Sequence, residues 1–87
     1  MVKYDIFYSK RASKEKRIVK QEGYHKKVQE LLDVIAVNPY QNPPPYEKLK
    51  GNMQTMYSRR INVQHRLVYR VFENENKIII VSMWLHY

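Results

Sequence analysis

A single carboxylate, Glu47, lies among five fixed cations in the stretch Glu47–Tyr69: Lys48, Lys50, Arg59, Arg60 and Arg66. His86 and Tyr87 are the last two residues of the sequence. These residue types form a complete set for breaking a phosphodiester that carries its own nucleophile, as RNA does in its 2′-hydroxyl. A base must take the hydroxyl proton, and an acid must protonate the leaving 5′-oxygen. Each positioned acid or base is worth about 10²–10⁴ in rate. Guanidiniums supply positive charge for the pentacoordinate phosphorane between them. Glu47 suits the base and His86 the acid, since histidine titrates near neutrality. Arg66 would hold the phosphate, with Lys50 and Arg60 assisting, and Tyr87 would stack on or orient a base.

Each residue also has an ordinary reading. Glu47 is equally suited to a loop ion pair with Lys50. Arg59 and Arg60 alternate across a strand, so at most one faces a given site and the other solvates the far face. Arg66 fits a surface ion pair worth at most ~1 kcal/mol. Terminal residues such as His86 and Tyr87 commonly fray, although here they follow the apolar Met83-Trp84-Leu85.

Other chemistries find less support. No cysteine is present, so thiolate metal sites and disulfides are excluded. Its three histidines show no metal-ligand spacing, and its two glycines cannot build a phosphate-cradling loop. Serines 9, 13, 58 and 82 sit in no nucleophile-elbow context. No metal and no cofactor is expected.

The sequence has 87 residues and a net charge of +8. One domain, residues 1–87, is expected. The charge points to a polyanionic partner: nucleic acid, an anionic membrane surface or an acidic protein. Eight tyrosines interleaved with the cations favour nucleic acid. No apolar run approaches the ~18–20 residues that span a bilayer. The opening Met1–Asp5 is too polar for a signal peptide.

Alternation from Val2 to Tyr8 predicts a first strand. Ser9 caps a helix over Lys10–Glu22, with Ala12, Ile18 and Val19 facing the core and a basic outer face. Gly23 ends it. Tyr24, Val28, Leu31, Leu32 and Ile35 form the apolar stripe of a second helix, closed at Asn38-Pro39. Pro43-Pro44-Pro45 predicts a stiff polyproline-II connection that delivers Glu47, and Gly51-Asn52 a turn. Strands follow at Thr55–Ile61, His65–Phe72 and Lys77–Leu85, the last through the β-branched run Ile78–Val81. The expected fold is α+β: an N-terminal strand, two helices and a three-strand antiparallel meander, with the helices on one face of an antiparallel sheet.

The motifs Glu47-Lys48-Leu49-Lys50-Gly51-Asn52, Tyr57-Ser58-Arg59-Arg60-Ile61, Gln64-His65-Arg66-Leu67-Val68-Tyr69 and His86-Tyr87 resemble the Txe/YoeB toxins of the RelE superfamily. The likeness runs from about Gln29 to Tyr87. It implies a RelE-like fold and a ribosome-dependent mRNA endonuclease, the toxin of a bacterial toxin–antitoxin pair acting in the cytoplasm. The codon in the ribosomal A site would be cut, leaving a cyclic phosphate. The family's base and acid fall on Glu47 and His86. Its phosphate-binding residues fall on Lys50, Arg60 and Arg66, and its terminal tyrosine on Tyr87. Implied partners are the ribosome and mRNA, a cognate acidic antitoxin of the YefM/Phd type, and a second copy of the chain. The triple proline and the length of the Phe72–Lys77 turn depart from the family pattern. Two other readings use the same cations: a non-catalytic RNA- or ribosome-binding module, and a degenerate toxin acting as co-repressor.

Overall fold

Apolar periodicity and capping residues resolve into seven elements and one short turn in a computed structural model that describes residues 3–50 and 55–86. They are β1 (Asp5–Tyr8), α1 (Lys10–Gln21), α2 (His25–Val37), β2 (Glu47–Lys50), β3 (Thr55–Arg60), β4 (His65–Phe72) and β5 (Lys77–His86). A 3₁₀ turn at Glu73–Glu75 links β4 to β5. The strands form one sheet in the order β1-β5-β4-β3-β2. The expected Gly51-Asn52 turn, Val2 and Tyr87 lie outside the described residues.

Two expectations about the sheet are corrected. It is mixed, because β1 pairs with β5 in parallel while the other neighbours are antiparallel. Alternation reveals which face a strand buries but not its direction, and the two helices supply the long crossover a parallel pair needs. The meander also gains an edge strand, β2, from residues that read as a connection. Its one apolar residue, Leu49, gives no pattern; pairing with β3 makes it a strand.

The α1 N-terminus forms as its sequence dictates. Ser9 Oγ accepts the Ala12 N–H at 3.0 Å and donates to the Val81 carbonyl at 2.8 Å, so one hydroxyl caps the helix and ties it to β5. At the other end Gly23 takes φ +83°, and the Tyr24 N–H returns to the Val19 carbonyl at 2.9 Å. Val28, Leu31, Leu32 and Ile35 of the α2 stripe are buried against Leu67, Tyr69, Ile78 and Ile80 of the sheet. Ile18 instead stays 39% exposed, so α1 gives the core Ala12 and Val19. No described helix is long and apolar enough to cross a membrane.

Glu15, one of few acids on a basic helix, is buried rather than solvated. Register shifts between Arg66 and Tyr69 make β5 bulge against β4 around Ser82–Leu85. A bulge leaves ladder groups without strand partners. Glu15 Oε1 accepts the Met83 N–H and the Ser82 hydroxyl, both at 2.9 Å, while Arg11 Nε reaches Oε2 at 3.2 Å. The helix carboxylate therefore satisfies the irregular part of the strand that ends at His86. Glu15→Ala should cost about 2–4 kcal/mol in denaturant unfolding, because it strands buried donors. Glu22→Ala on the exposed end of the same helix should cost less than about 0.5 kcal/mol.

Candidate active site

The segment before Glu47 is held by a residue expected to lie in water. Arg59 is 0% exposed. Its Nη1 donates to the Pro44 carbonyl at 2.6 Å, and its Nη2 to the carbonyls of Pro39 and Gln41 at 3.1 and 2.9 Å. Its Nε donates to the Tyr69 hydroxyl at 3.1 Å, which donates in turn to the Pro39 carbonyl at 2.7 Å. The Tyr46 ring covers the guanidinium with its centroid 5.0 Å away. A buried charge needs such partners, and here carbonyl oxygens of the 39–44 loop provide them. The expectation that the Arg59/Arg60 partner facing away from the site would solvate the far face is corrected: it organises the loop beneath.

The proline run is also not a continuous polyproline-II segment, since the Asn42-Pro43 and Pro43-Pro44 peptide bonds are cis. The stiff connection is built from the Arg59 hydrogen bonds and from tyrosines. Tyr57 packs edge-on against Tyr40 and Tyr46 and stacks on Tyr69. Tyr40 donates to Glu73 at 2.9 Å, and burial followed by this hydrogen bond pushes its hydroxyl far above the ordinary tyrosine value.

Immediately after this loop, β2 begins. Glu47 is the ladder partner of Ser58, and Arg60 that of Arg66. Alternation puts Glu47, Ser58, Arg60 and Arg66 on one face. Arg66 Nη1 donates to Glu47 Oε1 at 2.9 Å and lies 3.4 Å from Ser58 Oγ. The Arg66 side chain is 7% exposed and that of Glu47 53%. The guanidinium is thus fixed, while the carboxylate faces solvent and is free to meet a ligand. Pro45, Tyr46, Glu47, Arg60 and Arg66 line an open cleft of about 200 Å³.

Three of the six residues expected at the site are therefore together: Glu47, Arg60 and Arg66. Lys50 ends β2 as an exposed side chain opposite Thr55. His86 does not line the cleft. It pairs with His65 on the last rung of β4–β5, next to the Arg66–Leu85 rung, and its ring meets that of His65 at 5.4 Å. Because neighbouring residues of a strand point to opposite faces, the imidazole stands on the His65 side of the sheet end. Tyr87 lies outside the described residues.

The arrangement offers a carboxylate in contact with one guanidinium, a second guanidinium beside it, and an imidazole one rung away at the same rim of the sheet. A larger groove of about 280 Å³ between the helices and β5 holds lysines, His25 and apolar side chains but no carboxylate. Among the described residues no group of three or more His, Asp or Glu could hold a metal ion. Sequence reasoning gives His65 no role: an unbroken register counted back from the Phe72–Lys77 rung sets it opposite Trp84, and only the two register shifts between Arg66 and Tyr69 move its ladder partner to His86.

Residues 20–87 match the family model of the YoeB-like toxin of bacterial type II toxin–antitoxin systems. Toxin YoeB of Escherichia coli is 36% identical over 73 residues, which are 84% of this chain and 77% of that protein. The YoeB dimer of Staphylococcus aureus superposes with a TM-score of 0.80 at 38% identity, covering 98% of this chain and 99% of that one. A heterotetrameric YoeB–YefM complex from the same organism gives 0.79 at 39% identity, covering 97% of this chain and 98% of that one.

Two measurements check the loop architecture. Arg59→Met should cost about 3–5 kcal/mol in denaturant unfolding, since it removes the partner of the Pro44 and Gln41 carbonyls and one bond each from the Pro39 carbonyl and the Tyr69 hydroxyl; Arg60→Met, on an exposed side chain, should cost under about 0.5 kcal/mol. A raised tyrosine value means that folding favours the neutral phenol. Its contribution is full below the unfolded value of about 10 and is lost as pH climbs toward the folded one. Unfolding free energy should therefore fall above about pH 10, and Tyr40→Phe should make that fall shallower.

Proposed function

The chain belongs to the YoeB-like toxins of bacterial type II toxin–antitoxin systems, and from that premise we propose that it is an endoribonuclease that cuts mRNA in the ribosomal A site by metal-free acid–base catalysis. The observation that carries this reading is the 2.9 Å contact between Glu47 and Arg66 in a cleft shared with Arg60.

The scissile phosphate takes Arg66 and Arg60 as counter-charges. The phosphate replaces Glu47 as the partner of the fixed Arg66 guanidinium, and the exposed carboxylate turns from it to accept the 2′-hydroxyl proton. O2′ attacks phosphorus, and the two guanidiniums neutralise the phosphorane as charge builds on its oxygens. Arg66 is already desolvated and fixed by packing, so it need not reorganise when that charge appears. His86 protonates the departing O5′. The P–O5′ bond breaks, leaving a 2′,3′-cyclic phosphate on one fragment and a 5′-hydroxyl on the other. The rim geometry bears on how His86 takes part. The His65–His86 rung is the last of the β4–β5 ladder and adjoins the Arg66–Leu85 rung. The scheme requires the nucleotide to lie across that end of the sheet, with Arg66 on one side and the imidazole on the other. Lys50 steers the adjoining phosphate, and Tyr87 stacks on a base of the codon.

The ribosome presents the single-stranded codon, and the +8 charge favours its RNA surface. An acidic antitoxin would neutralise the toxin, as the YoeB–YefM complex of S. aureus suggests. The S. aureus YoeB dimer supports a homodimer. The working place is the cytoplasm, where translating ribosomes are.

Glu47→Gln and His86→Gln should each lower cleavage of mRNA on programmed ribosomes by about 10²–10⁴-fold while circular dichroism and melting stay near those of the parent. Parent-rate cleavage by both variants would remove the acid–base scheme. Undiminished ribosome binding without new RNA ends in the parent protein would leave a binding module.

A further inference from the structure

His65 has no part in the scheme above, yet its ring is constrained from several directions. It lies flat on the Trp84 indole, with centroids 3.8 Å apart and planes 10° from parallel. Trp84 is itself braced by Tyr24 at 5.6 Å. The Nδ1 of His65 is 3.2 Å from Asn62 Oδ1. That oxygen already accepts the backbone N–H groups of Gln64 and His65, each at 2.8 Å. A carbonyl oxygen has only lone pairs to offer, so Nδ1 must carry the hydrogen and donate it. The neutral ring is thereby restricted to one tautomer and one plane. Its edge-on neighbour is His86, at 5.4 Å and 72°.

A ring needed only to cover the hairpin end could be any aromatic in any plane. Here the Asn62 bond sets the plane and the Trp84 contact sets the height. What that surface meets is the imidazole on the His65–His86 rung of the β4–β5 ladder.

We propose that His65 is a positioning residue for His86, a stacked and tautomer-fixed ring that sets the place and orientation of the imidazole acting as acid. This rests on the role given to His86 above. An acid held in line with its leaving oxygen gains rate over one that samples many orientations. His65 itself exchanges no proton with RNA.

The test joins nuclear magnetic resonance of the free, isotope-labelled protein to single-turnover cleavage on programmed ribosomes. In the parent, the ring nitrogens of His65 should report the Nδ1–H tautomer, and its ring protons should show contacts to those of His86. His65→Ala should move the His86 ring signals to those of an unstructured histidine. It should also lower the single-turnover rate by about 10–100-fold with KM changed less than about twofold. His65→Leu fills the volume without a flat ring and should act the same way, which keeps the test valid if the alanine variant unfolds. His65→Phe keeps the flat contact with Trp84 but loses the Asn62 bond, and should recover only part of the rate and of the His86 signals.

Unchanged His86 signals in His65→Ala or His65→Leu overturn the proposal. So does a loss confined to KM, which would make His65 an RNA contact, or a rise in rate, which would make it a parking place for the acid. If the parent does not cut mRNA at all, the nuclease reading falls, while the His86 signals still decide whether His65 positions that ring.

Discussion

A guanidinium removed from water must find oxygen atoms, and Arg59 finds them in the backbone that precedes Glu47. Three carbonyls of the 39–44 loop and the hydroxyl of Tyr69 converge on it. This constraint fixes where β2 starts. Because β2 starts there, Glu47 falls opposite Ser58, on the face that carries Arg60 and Arg66. The loop could not be loose without letting the carboxylate drift from the guanidinium it contacts. The two arginines of Arg59-Arg60 thus divide the work by the pleat alone: one side chain points inward and builds the scaffold, the other points outward and lines the cleft.

The second half of the site depends on the opposite edge of the same hairpin. β5 bulges where it passes Leu67, and the carboxylate of Glu15 takes up the freed Met83 N–H and the Ser82 hydroxyl. Ser9 adds a further tie between the start of α1 and Val81. The helix therefore anchors the strand that brings Trp84 and His86 to the rim. Two buried charged residues, Arg59 and Glu15, hold the two chain segments that the proposed chemistry must bring together. Both are far apart in sequence from what they support.

Much of this is legible in the sequence. The α2 stripe, Ser9 as a cap, Gly23 as a stop and the three long strands follow from periodicity and local backbone chemistry. Residue type alone singles out Glu47, Arg60 and Arg66. What was hidden depends on tertiary context. Arg59 looks like any strand arginine until its oxygen partners are known. Glu15 looks like a helix-face acid, because nothing in α1 announces a bulge in β5. The parallel partner of β1 and the edge strand β2 leave too weak a local pattern. Register counted from the turn sets His65 opposite Trp84; its pairing with His86 depends on the bulges, which nothing local in β4 or β5 announces. Residue type also suggests one pocket shared by His86 and Glu47; the structure sets His86 at the sheet's end, one rung from Arg66.

In the proposed reaction this rim cuts RNA with the substrate's own hydroxyl as nucleophile. The most direct measurement is the chemistry of the new ends formed when the protein acts on an mRNA presented by the ribosome. The expected products are a 2′,3′-cyclic phosphate upstream and a 5′-hydroxyl downstream, with no product when the nucleotide before the cut carries a 2′-deoxy sugar. A 5′-phosphate at the new end, or undiminished cutting at the deoxy position, would contradict it.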